Sequence, residues 1–183
     1  MNVKKLQAQV GAPLRRAFQE PQAEADLIVR VQQLIGANES VFKVARGLSH
    51  FGEHALGWMA LGAVGALVDA KRREAWVRLI AAAFVSHAAS VVIKRIVRRK
   101  RPHDPRIAIG VSTPSKLSFP SSHATSTTAA LVCLARITRN PLPLLGVPVM
   151  MLSRIVLGVH YPTDVAAGAL VGAATAAAIG GTK

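Results

Sequence analysis

With a single cysteine, Cys133 in an Ala/Leu/Val run, the chain can form no intrachain disulfide, and that residue reads as a small core side chain. Aromatic residues make up only 4% of the 183, too few to offer stacking platforms for bases. The basic residues also flank apolar runs, so a nucleic-acid partner is set aside although the pI is near 11.5. Acidic residues are scarce, 9 against 23 Lys plus Arg, for a net charge of +14. A soluble domain does not join that charge to a 51% hydrophobic composition and a mean hydropathy of +0.34. Apolar spans separated by cationic loops do. No apolar segment follows Lys4, Lys5, Arg15 and Arg16 in the manner of a cleaved signal peptide. The length suits one domain.

Residues 1–22 are polar and basic, interrupted by Gly11, Pro13 and Pro21, and read as a short helix or loose arm. From Glu24 onward, Leu27, Ile28, Val31, Leu34 and Ile35 recur at helical spacing opposite Arg30, Gln32 and Gln33. This predicts an amphipathic helix too polar to span, lying along the membrane surface or over the bundle. Residues 1–40 thus form an arm and interfacial helix, and residues 41–183 a transmembrane domain. Spans are predicted near residues 51–68, 76–97, 122–137, 142–159 and 164–179, an all-α bundle of about five crossings. Trp76 suits an interfacial anchor. Ser86, His87, Ser90 and Lys94 share one helix face, which should turn inward, with His87 a satisfied interior histidine. Gly168 and Gly172, four apart, permit close helix packing. The run His50-Phe-Gly-Glu53-His54 spells the His-x-x-Glu-His pattern of one zinc peptidase class. No downstream helix offers a third ligand, so no metal site is read there and these side chains are expected either to face the headgroup region at a pocket mouth or to satisfy one another at the interface.

Three short stretches carry chemistry. Lys94 is followed after six residues by Arg101-Pro102, next comes Pro120-Ser121-Ser122-His123, and then Ser153-Arg154 with His160 and Asp164 at fixed intervals. Ionisable groups between apolar runs are costly in lipid and therefore mark function. Asp164 can hold the imidazole of His160 in one tautomer, and Arg154 offers a fork of donors that suits phosphate. A helix-end ion pair closing a loop is the plainer reading of the last stretch by itself. Order and spacing of all three resemble the signature of the type 2 phosphatidic acid phosphatase (PAP2) family, over residues 94–164. Ser122 stands where the family pattern has glycine.

That resemblance implies an all-α bundle of the PAP2 and vanadium haloperoxidase type, and a metal-independent membrane phosphatase. His160 would attack phosphorus to give a phosphohistidine, steadied by Asp164, and His123 would protonate the leaving oxygen. Lys94, Arg101, Ser121, Ser122 and Arg154 would hold the phosphoryl oxygens, aided by a helix N-terminus capped by Ser121. No metal or other cofactor is implied. A polyprenyl-phosphate lipid is the expected substrate, and within the family the resemblance extends to phosphatases of a polyprenyl-linked phosphoribose that serves cell-wall synthesis. Membrane lipids are the other expected partners. The basic, proline-punctuated loop 98–119 is either the selector of the group attached to phosphate or a solvated connector. A polyprenyl diphosphate phosphatase would use the same residues; a vanadium-dependent haloperoxidase and a non-catalytic lipid-binding protein are the alternatives of other classes.

Five spans would put the arm, loop 98–119 and His160 on one face. Of the 23 Lys and Arg, 7 fall toward the other face and three belong to the pocket, leaving 13 on the pocket side. The asymmetry places the pocket in the cytoplasm.

Overall fold

A computed structural model describes residues 8, 9, 22–36 and 38–180. The basic arm read over residues 1–22 lies outside the described residues except at positions 8, 9 and 22, and so does Lys183. The described chain is helical: α1 (Gln22–Val31, prolonged by a wide turn over Gln32–Gly36), α2 (Glu39–Gly52), α3 (Leu56–Val68), α4 (Arg73–Val97), α5 (Ser122–Thr138), α6 (Gly146–Val156) and α7 (Pro162–Gly180). Three segments are long and apolar enough to cross a membrane: Glu39–Val68, Ala70–Val97 and Pro162–Gly180. A shorter apolar helical stretch runs Leu142–Val156.

Helix α5 is the axle. Ser121 precedes it in extended conformation and its hydroxyl accepts from Ala124 N–H, an ordinary N-cap, while Arg139 ends it with a φ of 53°. Small and hydroxylated residues cover nearly its whole circumference, so α4 and α7 approach on two sides and bury Ala124 through Leu131. The glycine pair of α7 serves this contact. A Cβ on Gly168 would stand 2.7 Å from the carbonyl oxygen of Ser121, so only glycine lets the two backbones come this close. On α4 the buried positions include Ser86, Ser90, Lys94 and Val97, the inward face expected from their spacing. Apolar side chains left outside, among them Leu67, Val68, Phe84, Val92 and Leu170, form the surface suited to lipid.

The segment read as one span from residue 51 is broken. α2 ends at Gly52, and His54 and Ala55 both take left-handed backbone angles (φ 51° and 61°) before α3 begins. Helix α2 itself, capped by Asn38 through Ser40 N–H at 2.9 Å, is not expected from hydropathy. Its inward residues Ala45, Ser49 and Gly52 pack it on α6 and toward α5. The expected amphipathic α1 is present and lies over the bundle: Ile28 is fully buried with Ile107 and Tyr161. Gln32 clamps the site loops, donating to the carbonyls of Ala108 (2.7 Å) and Val156 (2.8 Å) and accepting from Ala108 N–H.

At the end of the bundle away from these loops, cations close the helix termini. Arg72 donates to the Ile137 carbonyl and Arg136 to that of Ala176, and Trp76 reaches Asp69 through its indole N–H.

Candidate active site

At the loop end a cavity of about 340 Å³ opens, lined from α2, α4, α5, α6 and the two connecting loops. Of the predicted site residues, Lys94, Arg101, Ser122, His123, Arg154 and His160 line it. Ser121 and Asp164 lie fully buried just behind its wall.

Each group is placed by a local device. Helix α6 ends at Val156, and Gly158 (φ 68°) turns the chain so that His160 is buried against the start of α7. Arg101 donates to the carbonyls of Ser115 (2.8 Å) and Val159 (2.7 Å), which pins its guanidinium beside the histidine. One of its N–H groups lies 3.1 Å from His160 Nε2. Arginine can only donate, so Nε2 accepts and the ring proton sits on Nδ1. That atom faces Asp164 Oδ2 at 3.5 Å, longer than a strong hydrogen bond. Burial first, and then the charges of Arg101, Lys94 and Arg154, hold His160 well below the ordinary histidine value, which keeps Nε2 unprotonated. Burial also lowers Arg101, to about 10, against the pull of Asp164, and it stays charged at neutral pH.

Lys94 spans the wall, donating to the carbonyls of Ser118 (2.8 Å) and Pro120 (2.5 Å), and so ties the end of α4 to the approach to α5. His123 Nε2 donates to the Ser49 carbonyl at 2.9 Å. This contact needs the bare backbone of Gly52, where a Cβ would stand 2.7 Å from His123 Cδ2. The hydroxyls of Ser122 and Ser90 are 2.7 Å apart. Arg154 differs from the other cations. It is 1% exposed, yet neither Nε nor Nη1 has a hydrogen-bond partner. A buried guanidinium with unpaired donors on a cavity wall has the chemistry to receive an anion.

Toward the mouth stand His50, Glu53 and His54, as expected, with the His54 and His87 rings 5.8 Å apart. Among the described residues no three His, Cys, Asp or Glu converge as metal ligands would. Loop residues Ser112, Thr113 and Ser115 complete the rim.

Two residues outside the three motifs belong to this arrangement. Arg99, 4% exposed, donates to Asp164 Oδ1 at 2.8 Å and to Glu24 of α1 at 2.5 Å, and its guanidinium stacks 4.0 Å from the Tyr161 ring. Ser49 supplies the carbonyl that orients His123.

The sequence model of the PAP2 superfamily matches residues 75–180. Over 148 residues the chain is 57% identical to the decaprenylphosphoryl-5-phosphoribose phosphatase of Mycolicibacterium smegmatis, covering 81% of this chain and 82% of that one. A protein of the same name from Mycobacterium tuberculosis is 52% identical over 163 residues, 89% of this chain and 92% of the other. Among solved structures, a transmembrane PAP2-type phosphatidylglycerolphosphate phosphatase from Bacillus subtilis has the same fold. Its TM-score is 0.68 over 97% of this chain and 94% of that one, at 20% identity.

Proposed function

Since the chain belongs to the PAP2 superfamily, we propose that it is a membrane phosphatase that hydrolyses the 5-phosphate of decaprenylphosphoryl-5-phosphoribose to leave decaprenylphosphoryl ribose. The observation that carries the reading is Arg154, buried and unpartnered on the wall of the cavity that holds His160. The choice of lipid is supported by 52–57% identity across most of both chains.

In this reading the phosphate enters between Arg154, Arg101 and Lys94 and displaces Arg101 from His160 Nε2. The nitrogen attacks phosphorus in line with the ester oxygen; the N–P bond forms as the P–O bond breaks. His123 takes up the proton that the incoming phosphate monoanion carries and delivers it to the ribose oxygen, and the alcohol leaves. Water then attacks the phosphohistidine, returns a proton to His123 and releases phosphate. The positive charge carried by the phosphorylated imidazole is stabilised by Asp164. Charge on the transferring group is met by fixed cations and by backbone N–H groups at the start of α5. Ser121 is buried behind the wall whereas Ser122 lines the cavity, so the hydroxyl offered to phosphate is that of Ser122.

The rim suits a sugar. Glu53 is the one carboxylate among the described residues lining the cavity, and Ser112, Thr113 and Ser115 stand with it. A carboxylate repels phosphate but accepts from paired hydroxyls, so Glu53 and these loop residues select the ribose. The bundle crosses the membrane about five times, with α5 and α6 as the short crossings and the cavity on the cytoplasmic side, where a lipid made from a cytosolic sugar phosphate is presented.

The test is phosphate release by purified protein in detergent with EDTA, offering decaprenylphosphoryl-5-phosphoribose and undecaprenyl diphosphate in parallel. Preference for the phosphoribosyl lipid, abolished in His160→Ala, is expected. Preference for the diphosphate would move the enzyme to carrier recycling.

A further inference from the structure

We propose that Glu24 and Arg99 are positioning residues for the nucleophile, so that the amphipathic helix α1 is a working part of the catalytic centre. The inference rests on His160 being the nucleophile, as argued above.

Asp164 is fully buried and divides its two oxygens. Oδ2 accepts from Tyr161 N–H at 2.8 Å and faces His160 Nδ1, whereas Oδ1 accepts from Arg99 at 2.8 Å. A buried carboxylate needs such compensation. But a full positive charge on Oδ1 works against the other oxygen's task, which is to favour positive charge on His160. Glu24 resolves the conflict. Its Oε2 lies 2.5 Å from the second nitrogen of the same guanidinium, while its carboxylate accepts from the backbone N–H and hydroxyl of Thr163 in the first turn of α7. Arg99 is therefore shared between two carboxylates, and Asp164 keeps charge to direct at the histidine. Thr163 Oγ1 accepts from Arg99 at 2.6 Å, and the Tyr161 ring closes the remaining side. The relay runs Glu24, Arg99, Asp164, His160, and its first member comes from a helix that precedes the three motifs.

Two substitutions move His160 in opposite directions. In Glu24→Gln, nearly isosteric, Arg99 bears more fully on Asp164; the imidazole becomes less basic, and the acid limb of kcat/KM moves to lower pH. In Arg99→Gln, Asp164 acts undivided, and the limb moves to higher pH. The other charged groups facing His160 are the same in both variants: Lys94 of α4, Arg101 of the loop, Arg154 of α6 and His123 of α5. One charge removed at this remove shifts a titration by on the order of half a unit.

The experiment is the pH profile of kcat and kcat/KM on the phosphoribosyl lipid for wild type, both variants and Arg99→Lys, with His160→Ala alongside. Opposite shifts, with KM at neutral pH changed less than kcat, support the relay. Where Arg99→Gln does not fold, Arg99→Lys should leave the limb in place while Glu24→Gln lowers it. Limbs that stay still, or move the same way, overturn the relay while an inactive His160→Ala leaves the nucleophile standing. An active His160→Ala overturns the nucleophile itself.

Discussion

Replacing Arg154 by methionine should cost activity and gain stability, and the two signs together test what the residue is for. The guanidinium is 1% exposed, with Nε and Nη1 unpaired within the protein. Each buried donor left unmade costs about 1–3 kcal/mol, and Lys94 and Arg101 on the same cavity add repulsion rather than relief. With phosphate bound, the same two donors form charge-assisted hydrogen bonds worth about 1.5–3 kcal/mol each. Removing them should lower kcat/KM by about 3–6 kcal/mol of transition-state stabilisation, a factor of roughly 10²–10⁴. Methionine fills much of the volume without the stranded donors, so the phosphate-free protein should gain about 1–3 kcal/mol. At about 2–4 °C per kcal/mol for a chain of this size, the thermal midpoint in detergent should rise measurably. Phosphate release and unfolding are to be followed in the same detergent without added phosphate. Activity within tenfold of wild type, or a midpoint lowered by several degrees, would show that Arg154 is a structural group and refute the anion-site argument.

The field around His160 fixes the sign of the pH dependence. Because burial and three cations lower its pKa, neutral imidazole persists as pH falls, and the acid limb of kcat/KM should lie below the ordinary histidine value of about 6.5; a limb at or above that value would mean the field is not felt. Gly52→Ala drives a methyl into the ring of His123, 2.7 Å from Cδ2, and should lower kcat by about tenfold to a hundredfold through misplacement of the acid; steady-state turnover at saturating substrate reads this out, and wild-type kcat would show that the ring yields freely. Glu53→Gln should lower kcat/KM on the phosphoribosyl lipid by about tenfold while leaving hydrolysis of a polyprenyl diphosphate, which has no sugar, within about twofold. Equal losses on both substrates would remove Glu53 from head-group selection.

The three motifs were legible because each lies where a helix starts or ends, and helix ends are where this chain can carry charge. Their spacing placed Lys94, Arg101, Ser122, His123, Arg154 and His160 around one cavity before any coordinates. Arg99 was hidden by its setting, one of four successive cations at 98–101. Which of the four turns inward depends on Arg98 taking a left-handed angle (φ 58°) at the end of α4, and no composition reveals that. The available signal was the scarcity of acid: with only 9 carboxylates, Glu24 on an otherwise amphipathic helix invited a search for its partner. Helix α2 was obscured because Gly47, Gly52 and the His-x-x-Glu-His run suggest a loop, whereas Ala45, Ser49 and Gly52 form the small-residue face that seats it. The break after Gly52 rests on two non-glycine residues with positive φ, which only surrounding packing can hold.

The N–H of Ser121 donates to the carbonyl of Asp164 at 2.9 Å, beside the point where Gly168 lets the α5 and α7 backbones touch. The start of the helix that receives phosphate and the start of the helix that steadies the nucleophile are thus joined by main chain alone. They form a rigid floor. Of the possible substitutions at position 121 only proline removes the donor of that bond, and while it holds the two helix starts move together. Variation has to come from the roof, the α1–α2 layer and the 98–119 loop, whose contacts with the floor include side-chain bonds from Glu24 and Arg99. One phosphate-transfer floor can therefore be fitted with different roofs, and it is the roof that an inhibitor would have to recognise to tell this enzyme from others built on the same floor.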